Sequence, residues 1–177
     1  VGVIHLIRHG QVLLGAPTGD TLSDRGRDQS SAVGQAWEAA GFMPSDAVVG
    51  SAPWHAQTAV AAIDACGGPD GYDVDAGWND QDEAVESYAR FVDRVAGSFE
   101  QAVKLANSAR AVAVFTSGGP VAAVVSRLLA GDDSLFRRLG DVMINASVTT
   151  VVVDAAGPRL LSFNEHAHLP RDLITYQ

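Results

Sequence analysis

Arg8 and His9 stand side by side at the end of the apolar run Val1-Gly2-Val3-Ile4-His5-Leu6-Ile7, and Gly10 follows them. A neutral imidazole can attack phosphorus, and a guanidinium can hold an oxyanion through two parallel hydrogen bonds. The run reads as a buried strand, so the pair falls where a strand gives way to a loop. In an open α/β sheet that place opens into the crevice beyond the carboxyl ends of the strands. The same stretch also suits a strand-end histidine with a satisfied hydrogen bond beside a surface arginine, and the rest of the chain must decide between the two.

The elements that would position this pair are legible along the chain. Ser23 is a candidate N-cap, with Asp24 in the first turn of a helix running to about Ala40 and stopped by Gly41. Ala47 to Ser51 is a short strand, and a second helix is expected from Gln57 to about Ala65, ending in the turn-rich Cys66 to Gly71. Tyr72 to Trp78 reads as irregular or weakly extended. An acidic helix is expected to begin near Asp82, with Tyr88, Phe91, Val92, Val95 and Phe99 on its apolar face. Ala111-Val112-Ala113-Val114-Phe115 is the strongest buried-strand signal, and Thr116-Ser117-Gly118-Gly119-Pro120 turns it into a helix through Leu129. A short helix around Ser134 to Leu139 precedes two strands, Ser147 to Asp154 and Arg159 to Asn164, joined tightly at Ala156-Gly157. The order predicts an α/β fold: a mostly parallel sheet with helices on both faces and one late antiparallel strand.

Composition narrows the function classes. The 177 residues predict a single domain spanning 1–177, and 47% hydrophobic against 19% charged residues is a globular balance. A formal charge of −9 and the lack of a basic stripe argue against nucleic acid as a partner. That charge also opposes anions globally, so any phosphate site must be built locally from a few cations and backbone N–H groups. No apolar run reaches the roughly 18 residues that cross a bilayer, so no membrane partner is expected. The apolar start has no basic leader, so no signal peptide is expected, and the missing initiator Met suggests that a few native residues precede Val1. The lone Cys66 allows no internal disulfide, fits a reducing cytoplasm, and reads as a small buried hydrophobe.

Taken in order, Leu6-Ile7-Arg8-His9-Gly10, Leu22-Ser23-Asp24-Arg25-Gly26 with Gln29, Gly50-Ser51 with Gln57-Thr58-Ala59, Thr116-Ser117-Gly118-Gly119-Pro120, Asn145-Ala146-Ser147 and His168-Leu169 resemble the histidine phosphatase superfamily, also called phosphoglycerate-mutase-like. The likeness covers essentially the whole chain. It implies that His9 is the nucleophile phosphorylated in passing, that Arg8 clamps the phosphate, and that a carboxylic acid protonates the leaving oxygen. Trp78-Asn79-Asp80-Gln81-Asp82 resembles the segment carrying that acid, which puts Asp80 in the role one methylene short of the usual Glu. Asp82 and Glu83 are neighbouring alternatives that also suit a solvated helix start. No metal and no organic cofactor are implied.

Two departures concern the chemistry. The family's second Arg falls at Trp54, which can offer an indole N–H or a stacking face but no bidentate clamp. His55 beside it is a candidate cation at mildly acidic pH, and both residues equally suit the walls of the crevice. The family's second His is replaced by Ser117, whose hydroxyl donates one hydrogen bond without charge, and Gly118 and Gly119 bring backbone N–H groups or simply make a tight turn. His168 is a candidate replacement donor, tuned by Glu165, or a packing residue of the C-terminal loop; Asn145 and Ser147 are expected to shape backbone. The leading expectation is hydrolysis of a phosphate monoester on a small molecule through phospho-His9, with activity reduced by the missing charges. Mutase chemistry is not expected, because the phosphoenzyme would have to survive until it rephosphorylates product. The rival is a degenerate member that binds a phosphorylated ligand or a protein partner without turnover, and Trp54 in the crevice favours something aromatic or apolar-tailed.

Overall fold

Alternating apolar residues decide how the strands stack. In a computed structural model, which describes residues 1–13, 15, 21–107 and 110–176, β1 (Gly2–Arg8) turns Ile4 and Leu6 to one face of the sheet and Ile7 to the other. β6 (Ala111–Thr116) does the same, with Val112 and Val114 opposite Ala113 and Phe115. Both strands are apolar on both faces, which is the signature of a strand covered on both sides. Helices α3 (Tyr88–Ala106) and α4 (Gly118–Ala130) cover the first face, and α1 (Asp24–Ala39) and α2 (Pro53–Cys66) cover the second.

The six-stranded sheet runs β5-β4-β6-β1-β7-β8, with β4 at Asp46–Val49, β5 at Asp73–Val74, β7 at Val148–Asp154 and β8 at Gly157–Glu165. The β5-β4-β6-β1 half is parallel, and β7 is antiparallel to β1 and to β8. The fold is thus α/β with one late antiparallel strand, and a small separate hairpin joins β2 (Val12–Leu13) to β3 (Thr21–Leu22). A five-residue helix α5 (Phe136–Gly140) precedes β7.

Two helices start well away from expectation. Helix α2 begins at Pro53 rather than Gln57, because proline fits the first helical turn and Ala52 supplies an extended residue ahead of it. Helix α3 begins at Tyr88 rather than near Asp82. The Asp82 carboxylate accepts from Ala84 N at 3.0 Å in a turn, whereas Ser87 Oγ accepts from Arg90 N at 3.4 Å and caps the helix. Asp73–Val74 also pairs with β4 as a short edge strand where irregular chain was expected.

Candidate active site

β1 lies between two partner strands, so the residue that leaves it is pinned on both sides. His9 N donates to Thr116 O at 2.8 Å, while His9 O accepts from Ala146 N at 3.2 Å and from Asn145 Nδ2 at 3.3 Å. Gly10 N donates to Thr58 Oγ1 at 3.1 Å, and a Cβ at Gly10 would lie 2.3 Å from Gly26 O, so only glycine lets the loop press against α1. Behind this backbone stands a chain of buried amides. Gln29 accepts from Gln11 N at 2.8 Å and donates to Thr175 Oγ1 at 2.8 Å, and Thr175 Oγ1 donates to Asn145 Oδ1 at 2.9 Å. Both Gln29 and Asn145 are fully buried, so each hydrogen bond is expensive to lose.

The His9 ring is set by the same backbone. Nδ1 lies 2.8 Å from Gly10 O, and a carbonyl can only accept, so Nδ1 carries the proton and Nε2 keeps its lone pair. Burial lowers the His9 pKa to about 4; the Gly10 carbonyl works against the shift and the Arg8 charge adds to it. The ring is therefore a neutral base over the ordinary pH range, with its nucleophilic nitrogen fixed by geometry.

His9 faces a cavity of about 430 Å³ at the carboxyl ends of β1 and β6, walled also by Arg8, Trp54, Asp80, Ser117 and Gly118, with Val12, Gly119 and Gly140 completing it. Arg8 Nη1 donates to Met143 O at 2.5 Å, but its Nε is buried with no acceptor, as is Trp54 Nε1. Burial pushes the Arg8 pKa down while the Asp80 charge holds it up, and the guanidinium stays charged. Two donor-only N–H groups without acceptors beside a neutral imidazole form a place for an oxyanion.

Asp80, an exposed residue, lines this cavity. Its carboxylate is turned onto Gly119, where a Cβ would come within 2.0 Å of Oδ1, so the glycine admits it. Burial of the carboxyl group raises its pKa, opposed by the Gln81 and Gly119 N–H groups and by the charges of Arg8 and Arg94. The loop that carries it is clamped by Arg94. Nη1 donates to the carbonyls of Ala76, Gly77 and Asn79 at 3.2, 2.8 and 3.1 Å, and Nε and Nη2 reach the Glu86 carboxylate at 2.9 and 2.6 Å. Asn79 adds Ser51 N→Oδ1 at 2.8 Å, tying the loop to the start of α2. Arg94→Ala should leave the fold intact and lower kcat about tenfold by freeing the Asp80 loop, with KM for phosphate esters little changed; equal kcat in a steady-state comparison would show that the clamp does not position the acid.

The structure brings Arg8, His9, Trp54, Asp80, Ser117 and Gly118 to one cavity. His55 lies just behind its wall, with its ring centroid 5.7 Å from that of His9 and Nε2 2.8 Å from Ser117 Oγ. His168 stands outside the lining of this cavity, and its Nε2 donates to Ala146 O at 3.0 Å, the carbonyl of a residue held at φ 56°. Sequence reasoning did not assign roles to Arg94, Glu86 or Asn79, or to the Met143 carbonyl. Of these only the Trp78-Asn79 segment carried a local signal.

A family model described as histidine phosphatase superfamily (branch 1) matches residues 68–166. Comparison of the sequence with curated proteins gives no match. Among solved structures, a phosphoserine phosphatase variant from Entamoeba histolytica in complex with phosphoserine superposes with TM-score 0.76 at 15% identity, covering 96% of this chain and 100% of that one. A phosphoglycerate mutase from Bacillus anthracis gives TM-score 0.74 at 12% identity, with 94% of each chain covered. A mycobacterial glucosyl-3-phosphoglycerate phosphatase gives 0.72 at 20% identity, covering 93% of this chain and 99% of that one. At these identities the likeness speaks for the fold.

Proposed function

The chain belongs to the histidine phosphatase superfamily, and from that premise we propose that it hydrolyses a phosphate monoester through a phosphoryl group carried on His9 Nε2. The observation that carries this reading is the Nδ1–Gly10 carbonyl hydrogen bond, which leaves Nε2 unprotonated beside the unpartnered N–H groups of Arg8 and Trp54. Nε2 attacks phosphorus and forms the N–P bond while the P–O ester bond breaks, its electron pair leaving on the alcohol oxygen. Asp80, whose raised pKa favours the acid form, gives that oxygen a proton. In the second displacement the Asp80 carboxylate takes a proton from water, the water oxygen attacks phosphorus, and the N–P electron pair returns to Nε2. Arg8, the Trp54 indole N–H, the Ser117 hydroxyl and the backbone N–H of Gly118 hold the equatorial oxygens.

The first step needs His9 neutral and Asp80 protonated, so activity should peak on the acid side and fall as His9 gains a proton near pH 4. The test is an aryl phosphate assayed across about pH 4–8, together with acid-labile phosphate trapped on the protein after a rapid quench. Turnover and the trapped phosphate should both vanish in His9→Ala; equal rates in the variant and the wild type would defeat the reading. One observation favours the rival, a non-catalytic phosphate binder. Arg8 is the one cationic side chain on the cavity wall among the described residues, and part of its guanidinium is committed to Met143. A missing charge-stabilising donor costs on the order of a hundred- to a thousandfold in rate. Phosphate binding without any trapped phosphoryl group would establish the binder. The Trp54 and Val12 walls favour an ester of an apolar or aromatic alcohol over one carrying a second anion.

A further inference from the structure

We propose that His55 is a positioning residue that aims the Ser117 hydroxyl at a bound phosphoryl oxygen and takes up a proton when that oxyanion arrives; this rests on the phosphate-site reading above. His55 is fully buried, and Ser117 is nearly so. Ser117 occupies the N-cap position of α4, where a serine side chain ordinarily accepts from the helix backbone, but its hydroxyl makes no capping bond. The hydroxyl is instead 2.8 Å from His55 Nε2. Room for the ring exists because residue 50 is glycine: a Cβ there would lie 2.3 Å from Nδ1 and 2.8 Å from Cε1. The polar pair is therefore built into the site rather than left over at its edge.

Its protonation decides what the cavity meets. Nδ1 has no hydrogen-bond partner, and the nearby Gly50 carbonyl favours a proton there. With Nδ1 protonated and Nε2 bare, Nε2 accepts the Ser117 proton, and the serine lone pairs face the cavity and repel an oxyanion. A second proton on Nε2 reverses this. Nε2–H then fills a lone pair of Oγ, and the hydroxyl proton is released toward the phosphoryl oxygen. The groups facing His55 fit such a change. His9 at the end of β1 stays neutral, Arg8 lies across the cavity, and Asp80 sits on the loop before α3. In the empty site burial holds His55 down at about pKa 3, and a phosphate dianion supplies the countercharge that lifts it. The imidazolium would replace, at one remove, a cation that the cavity wall lacks.

Inorganic phosphate is the probe, since equilibrium binding does not require turnover. With nitrogen-15 histidine labelling, phosphate added near pH 6 should move the His55 resonances to the imidazolium pattern, and calorimetry in two buffers with sulfate, a full dianion at that pH, should show proton uptake. His55→Gln keeps an amide donor for Ser117 but cannot be charged. It should bind phosphate roughly ten- to a hundredfold more weakly at that pH and lose the uptake, the span expected for one charge-assisted hydrogen bond. Ser117→Ala should lose at least as much, since it removes the hydroxyl through which His55 acts, and the double variant little more than Ser117→Ala alone. Unchanged His55 resonances, or His55→Gln binding like the wild type at every pH, would overturn the proposal while leaving phospho-His9 standing. A wild-type protein that binds no phosphate would overturn both.

Discussion

Asp80→Asn will lower kcat for an alkyl phosphate such as benzyl phosphate by about a hundred- to ten-thousandfold, the usual weight of a positioned general acid. Asparagine keeps the size of the side chain, so the approach to Gly119 and the acceptor for Gln81 N at 3.1 Å survive, and only the transferable proton is lost. The expected loss depends on the leaving group. An alkoxide departs badly without a proton, whereas a nitrophenolate is stable without one. The first displacement on an aryl phosphate should therefore be nearly unchanged. The second step then limits turnover, since no carboxylate remains to take the proton from water, and a rapid-mixing trace should show a burst of phenol followed by a slow phase. Removing a negative charge beside Arg8 should also tighten inorganic phosphate binding. A uniform fall across leaving groups, or no fall with the alkyl ester, would assign the acid to another residue.

How much of this site was readable in advance follows from how local each signal is. Arg8 and His9 could be placed because an apolar strand ending in two polar residues leaves them one destination. Ser117 and Gly118 followed for the same reason from β6. The helix starts at Pro53 and Tyr88 were missed because proline and Ser87 act through backbone geometry, while the acidic stretch from Asp80 imitated a first turn. His55 and Ser117 are 62 residues apart, and nothing near either in the chain announces the other. The bond from His168 to the Ala146 carbonyl, 22 residues back along the chain, is likewise visible only in three dimensions. The Met143 carbonyl that holds Arg8 is invisible in principle, since every residue carries one. Arg94 is the instructive middle case. A charged residue on the outer face of an amphipathic helix reads as solvated, yet its fork closes on three loop carbonyls and a carboxylate.

Acidification from pH 7 to 5 should cost this protein several kcal/mol of stability, on the order of half of what a domain has, and His5 is the place to see it cleanly. His5, in the middle of β1, stacks on Phe42 at a ring-centroid distance of 4.5 Å and lies 5.5 Å from Trp37. Burial lowers its pKa from 6.5 to about 4, and its Nδ1 has no partner. The folded state therefore binds fewer protons than the unfolded chain between those values. The stability contribution is whole above about pH 6.5 and is lost as pH falls toward 4, amounting to about 3 kcal/mol for this group alone. His9 and His55 are depressed in the same direction, to about 4 and about 3, so the losses accumulate. Replacing His5 by Phe keeps the aromatic stack and strands no acceptor. His5→Phe should match the wild type at pH 7 within about 1 kcal/mol and exceed it by about 2 kcal/mol at pH 5 in urea titrations. Saturating phosphate should narrow the loss in both proteins, since the dianion binds only the folded site and favours protonated groups there. Equal unfolding midpoints for wild type and His5→Phe at pH 5 would mean that the ring finds water or a partner when charged, and that the acid sensitivity of the fold lies wholly in the cavity.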